Sequence, residues 1–163
     1  MSLSTGFPAI ESPDARILIL GSLPGVLSLR AGEYYAHPRN HFWVIMETVL
    51  DTPIRHRLYE ERRAVLTDRK IALWDVLASA EREGSLDAAI KSHAANDFEE
   101  FAASHPDLSL ICFNGQKAQA LYRRHISKTM VSVKSLTLPS TSPAHTVGLE
   151  AKVRKWSVIR EYL

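Results

Sequence analysis

Four short runs rich in apolar residues constrain the fold more than any other feature of this chain. They lie at Arg16 to Gly21 (RILILG), Ile71 to Asp75 (IALWD), Leu108 to Phe113 (LSLICF) and, with looser alternation, Val131 to Leu138. Runs this apolar suit strands buried on both faces, as in a parallel sheet. Helical patterns separate them. Phe42, Trp43, Ile45, Met46, Val49 and Leu50 form one apolar stripe, and Leu149, Val153, Trp156 and Ile159 form another. Arg57 to Leu66, Asp97 to Ser104 and Gly115 to His125 also read as helices, and Ser85 is placed to cap one reaching Ile90. Such alternation predicts an α/β fold, a three-layer α/β/α sandwich around a mostly parallel four-stranded sheet.

The chain has 163 residues, 45% hydrophobic and 23% charged. That size and balance suit one domain over residues 1–163, with residues 1–13 as a loose N-terminal lead. Neither a bilayer-spanning apolar run nor a secretory leader is present in the sequence. The lone cysteine, Cys112, provides neither an internal disulfide nor the several thiolates of a zinc or iron–sulfur site. A reducing, cytoplasmic location is therefore expected. Net charge is only +2, but Leu108 to Leu149 holds no acid and carries Lys117, Arg123, Arg124, Lys128 and Lys134. From Glu81 to Asp107 the balance reverses, with seven acids against Arg82 and Lys91. This asymmetry points to an electropositive face suited to a polyanion, or to chance clustering on solvated surfaces.

Ligands of open α/β sheets bind beyond the carboxyl ends of the strands. The segments to inspect are Gly21 to His41, Asp75 to Ser79, Asn114-Gly115 and Pro139 to His145. The first contains Gly21-Ser22-Leu23-Pro24-Gly25 and then Tyr34-Tyr35-Ala36-His37-Pro38-Arg39-Asn40-His41-Phe42-Trp43. Gly21 and Gly25 permit close backbone approach, and Pro24 stiffens the turn. Aromatic rings, imidazoles and an amide packed into ten residues suit a planar heterocycle. The segment has neither the G-x-G-x-x-G nor the Gly-Lys-Ser/Thr phosphate pattern, and G-x-S-x-G is absent, so Ser22 is no hydrolase nucleophile.

These two pieces, at their spacing, resemble the uracil-DNA glycosylase superfamily. Its mismatch-specific branch carries a Gly-x-Asn-Pro-Gly loop followed by Phe-Ala-His-Pro-x-Asn-x-Phe-Trp. Pro139 to His145 is similar to the second family motif, and within the superfamily the hypoxanthine-DNA glycosylase branch is the best likeness. The resemblance implies a monofunctional enzyme that extrudes a deaminated base, hypoxanthine before uracil, and hydrolyses its N-glycosidic bond in base excision repair. One departure stands out. Leu23 occupies the place of a water-polarising Asn or Asp, and Asn40 is the best substitute. Leu138 likewise replaces a histidine of the uracil branch.

The resemblance assigns candidate roles, each beside a plainer one. Asn40 orients water or binds the base edge, or caps the helix after it. Tyr35 stacks on the base, or packs in the core, and Tyr34 suits either place. Phe42 and Trp43 belong to the core. His37 hydrogen-bonds the base or holds its loop, and Ser22 lines the pocket or closes a turn. Gly21, Pro24 and Gly25 shape the base pocket. Asn114 reads the base edge or caps the Gly115 helix, whose N-terminal N–H groups around Lys117 suit an anion. Ser140, Thr141, Ser142 and Pro143 meet DNA, and His145 donates to the leaving base or a phosphate. Lys117, Arg123, Arg124, Lys128 and Lys134 are candidate phosphate contacts. Asp75, at a strand's end, is catalytic by position or, as the preferred reading, caps a helix at Val76. Damaged DNA is the expected partner of a monomer, with no metal or cofactor. The alternatives are an inactive DNA- or nucleobase-binding module on the same scaffold and a nucleoside enzyme.

Overall fold

The computed structural model describes residues 2–82, 85, 90–126 and 133–163. The elements in chain order are β1 (Ser2–Thr5), β2 (Ile17–Gly21), α1 (Val26–Ala31), α2 (Phe42–Leu50), α3 (Tyr59–Asp68), β3 (Ile71–Asp75), β4 (Leu77–Arg82), β5 (Lys91–Ala95), α4 (Phe98–Ser104), β6 (Leu110–Asn114), α5 (Gln116–His125), β7 (Lys134–Leu138) and α6 (Leu149–Trp156). A 3₁₀ turn, Ser157–Tyr162, follows α6.

The four apolar runs form one parallel sheet in the order β3-β2-β6-β7. Within β2, Ile17 and Ile19 face one core, with Phe42, Ile45, Met46 and Trp156, while Leu18 and Leu20 face the other, with Phe98, Phe101, Ala118 and Leu121. Every residue of β2 and β6 is buried, which explains why these strands are apolar throughout rather than alternating. The result is the expected three-layer sandwich. From β2 the chain adds β3 on one side and later β6 on the other. That reversal opens a crevice at the carboxyl ends of the strands, where Gly21 pairs with Asp75 and Asn114 with Leu138.

Two expectations are corrected. The N-terminal segment is not a loose lead: β1 pairs antiparallel with β4, and Ile10 is buried and bridges Leu73. Its apolar residues are too few to announce a strand without their partner. Asp75 caps no helix, because Leu77–Arg82 is a strand between β1 and β5 in a second, antiparallel sheet. The backbone leaves β3 by donating from Val76 and Leu77 to the carbonyls of Gly21 and Ser22 (2.8 and 3.1 Å), which places Asp75 at the crevice. Most of the helix expected from Ser85 to Ile90, the start of the run at Val131, and Lys128 lie outside the described residues.

Candidate active site

A cavity of about 500 Å³ opens at the carboxyl edge of the parallel sheet. That is within the range of roughly 300–1,000 Å³ typical of small-ligand pockets. Its walls come from the three segments that carry the motifs, and Asp75 closes it from β3.

The first wall is Gly21 to Gly25. A Cβ on Gly21 would stand 2.6 Å from Asp75 Oδ1 and 3.0 Å from the Tyr35 hydroxyl, so glycine is required there for space. Leu23 is buried in the second core and contributes only apolar surface to the pocket. Arg82 donates to the Pro24 carbonyl, and Ser85 Oγ accepts from Val26 N (2.7 Å), so the start of α1 is held from the β4 side.

The second wall separates the two tyrosines. Tyr34 is buried, with its hydroxyl donating to Pro8 O (3.1 Å) and its carbonyl accepting from Trp43 Nε1 (3.0 Å). Burial, then the Asp75 charge, pushes its phenol far above the ordinary range. Tyr35 has φ 55°, a left-handed conformation that costs an L-residue of this kind about 1–2 kcal/mol. The reversal puts its ring on the pocket wall, stacked on Phe42 with centroids 4.3 Å apart and planes at 25°. His37 Nδ1 accepts from Arg39 N (3.0 Å), so in the neutral ring the proton sits on Nε2. Asn40 Oδ1 accepts from Phe42 N (2.9 Å), which fixes the orientation of the amide because a backbone N–H only donates. Asn40, one residue before the N-cap His41, thus closes a side-chain turn into α2 rather than capping it, and lines the pocket at once; its Nδ2 has no acceptor among the described residues.

The third wall, Pro139 to His145, is tied on all sides. His41 N donates to Thr141 O (3.0 Å), Trp156 Nε1 to Pro139 O (2.9 Å) and His145 N to Ser142 O (3.0 Å). Ser140 and Ser142 use their oxygens to accept from Ser142 N and Ala144 N (3.2 Å each), which leaves each hydroxyl a proton to donate. Gly115 packs against this loop at φ 95°, where an added Cβ would stand 3.0 Å from Ser140 Cβ.

Asn114 is the clasp of the assembly. Its Nδ2 donates to the Tyr35 hydroxyl and to Thr141 Oγ1, both at 3.0 Å, and its Oδ1 accepts from Thr141 N at 2.9 Å. It does not cap α5, whose first turn starts at Gly115 with no side-chain cap. With both Nδ2 protons committed, it is arranged to hold Tyr35 and the third wall rather than to read a base.

The structure therefore brings together Gly21, Ser22, Pro24, Gly25, Tyr35, His37, Asn40, Asn114, Ser140, Thr141, Ser142, Pro143 and His145. It does not bring Lys117, Arg123 or Arg124 to the pocket. All three are exposed on α5, and Arg123 lies about 10 Å further along the helix axis than Gln116. Lys134 starts β7 at the opposite sheet edge, over the Tyr162 ring. Leu27, Ser28 and Asp75 lie in segments the sequence singles out but were given no preferred pocket role, and Ser85, read as a helix cap, also lines the cavity. For Asp75 the signal was its place at a strand's carboxyl end, outweighed by a helix-cap reading. Cys112 is buried in β6, and burial pushes its thiol up to about 12, so it supplies no thiolate near neutrality. No group of three or more candidate metal ligands occurs among the described residues, and none of their helices is long and apolar enough to cross a membrane.

Comparison with known proteins covers nearly the whole chain. The family model of the uracil DNA glycosylase superfamily matches residues 8–160. A hypoxanthine DNA glycosylase of Methanosarcina acetivorans is 36% identical over 160 residues, 96% of this chain and 98% of its own. Another from Methanosarcina barkeri (strain Fusaro) is 40% identical over 152 residues, 93% of this chain and 94% of its own. The solution NMR structure of a candidate uracil DNA glycosylase from Methanosarcina acetivorans superposes with a TM-score of 0.85 at 34% identity, covering 97% of this chain and 96% of that one.

Proposed function

The chain belongs to the uracil DNA glycosylase superfamily, and from that premise we propose that it hydrolyses the N-glycosidic bond of deoxyinosine in DNA. The enzyme is a DNA glycosylase; hypoxanthine as its preferred base, and the roles below, are our reading. The observation that carries it is the convergence of Tyr35, His37 and Asn40 with the Ser140–His145 loop on one cavity at the sheet's switch point.

An extruded base enters between Tyr35 and the Gly21–Gly25 loop, with Phe42 backing the tyrosine ring. Deamination turns an exocyclic amine into a carbonyl, so a selective pocket needs N–H donors. His37 Nε2 and Asn40 Nδ2 are two donors with no protein acceptor among the described residues. As the bond to C1′ breaks, the sugar gains oxocarbenium character and the base gains negative charge. Donors already in place stabilise that charge without reorganisation. Asn40 is too weak a base to deprotonate water. Its Oδ1 keeps one lone pair beyond the Phe42 bond and can orient the attacking water by geometry. In this reading His145, whose backbone is tied to the Ser142 turn, donates to the departing base or a phosphate, and the hydroxyl protons of Ser140 and Ser142 suit backbone phosphate. Leu23 takes no part in the polar chemistry. Hydrolysis by water needs no Schiff base.

The test is base release from labelled duplexes carrying deoxyinosine, deoxyuridine, deoxyxanthosine or a G·T mismatch, followed by alkaline cleavage of abasic sites. Fastest release from deoxyinosine, lost in Asn40→Ala with duplex binding retained, is the expected outcome. Uracil released faster than hypoxanthine overturns the substrate assignment, and full activity of Asn40→Ala overturns the mechanism.

A further inference from the structure

One charged side chain has no place in the chemistry above, and its position is costly. Lys152, in the first turn of α6, has 0% exposure. Its ammonium makes one hydrogen bond, to Ser142 O at 3.4 Å, and pairs with no carboxylate among the described residues. Three N–H donors therefore share one distant acceptor. Burying an uncompensated ammonium is expensive, and an apolar side chain of the same length would be cheaper. The helix end adds to the cost. Side chains lean toward the N-terminus of their helix, where the macrodipole is positive, so a cation here is on the wrong side. Burial pulls the lysine below its ordinary range, and its charge joins burial in holding His41 low.

What the ammonium touches gives the expense a purpose. Ser142 O is also the acceptor of His145 N, so the lysine sits directly under the Ser142–His145 turn. His41, which feels the lysine charge, is bonded through its own N–H to Thr141 O. Lysine and helix N-terminus thus form a buried positive spot behind the pocket wall that carries Ser140, Ser142 and His145.

We propose that Lys152 is a positioning residue whose buried, unpaired charge underlies the Ser142–His145 turn and draws a backbone phosphate flanking the extruded nucleotide onto it. The ammonium never touches DNA; it acts through the turn. This rests on the glycosylase reading for its substrate, but the measurements separate the two.

The experiment compares the full-length wild type with Lys152→Met and with Lys152→Gln, which keeps a donor for Ser142 without the charge. Thermal unfolding, affinity for a deoxyinosine duplex and single-turnover base release are read together. Removing the charge should leave the melting temperature equal or higher, while affinity and release both fall by about fivefold to thirtyfold. Both variants should lose function alike. Lower melting with unchanged affinity would make Lys152 a packing residue and overturn the proposal. Full function in Lys152→Gln would assign the effect to the hydrogen bond and overturn the role of charge. If wild type releases no hypoxanthine, the substrate assignment fails, whereas the affinity and melting arms still decide the role of Lys152.

Discussion

Replacing Asn114 by alanine should unfasten the pocket, and the structure sets the size of the effect. Three hydrogen bonds of 2.9–3.0 Å disappear: two to Thr141 and one to the Tyr35 hydroxyl. Tyr35 is only half-buried and can recover water. Thr141 has 0% exposure, so its N–H and hydroxyl are left buried without partners. An unsatisfied buried polar group costs roughly 1–3 kcal/mol, and rotation of the hydroxyl recovers part of one. The net loss is about 2–4 kcal/mol. For a chain of this length each kcal/mol moves the midpoint by roughly 2–4 °C, giving a drop of about 5–15 °C. Thermal unfolding of Asn114→Ala, Thr141→Val and the double variant measures both the loss and its origin. The cycle should show coupling of about 1 kcal/mol or more, because the two side chains share a bond. Single-turnover release should fall at least about tenfold, since displacement of reacting groups by about 1 Å costs of that order or more. A loss below about 1 kcal/mol, or strict additivity with Thr141→Val, would refute the clasp.

Gly21→Ala should destabilise by about 1–3 kcal/mol and depress release further than stability explains, because the new methyl meets Asp75 Oδ1 at 2.6 Å and the Tyr35 hydroxyl at 3.0 Å. Denaturant unfolding beside single-turnover kinetics checks it. Arg123→Ala combined with Arg124→Ala should leave duplex affinity and its salt dependence within about twofold of wild type, because both lie along α5 away from the pocket. A large loss of salt dependence would place DNA on that surface. The stability of wild type relative to Lys152→Met should depend on pH with a defined sign. The folded pKa of Lys152 lies below its ordinary 10.5, so between the two values the unfolded chain binds more protons and stability rises with pH. The cost is fully present below the folded pKa and vanishes above 10.5, so the melting advantage of Lys152→Met should be largest near neutrality and disappear in alkali.

β2, β3 and β6 were legible because they are buried on both faces, which forces continuous apolar sequence, whereas the exposed edge strand β7 showed only through a looser alternation. The antiparallel sheet was not, for the opposite reason. Ser2–Thr5 and Lys91–Ala95 are short, mixed in polarity and defined by their pairing with β4, and pairing leaves little trace in one strand's own residues. Asp75 was misread on the same account: with β4 taken as a helix, its carboxylate became a cap. The motif residues of the pocket were legible as a cluster because they occupy the carboxyl ends of strands, a rule of topology rather than of local propensity. For the basic residues of α5 the sequence gives no distance from the pocket, because a count of charges along a chain carries no direction. Gln116 follows directly on Asn114 and Gly115 at the pocket edge, but the helix then carries Arg123 and Arg124 away from it.

The two amides show how the same side chain divides labour according to what it is already bonded to. Both Asn40 and Asn114 invite a base-reading role and a capping role from sequence. In Asn114 every donor is spent on Tyr35 and Thr141, so it sets the positions of other groups. In Asn40 only the oxygen is engaged, by Phe42 N, which locks the plane and leaves Nδ2 without an acceptor among the described residues. A locked amide with an open donor is pre-organised for a ligand; a fully bonded one is pre-organised for its neighbours. Leu23 fits the same division. The first loop has surrendered its polar position to the second core, so the polar work moves to the turn that enters α2. That turn is suited to it, because the first helical N–H, which fixes Asn40, is a backbone donor with no intrahelical partner of its own.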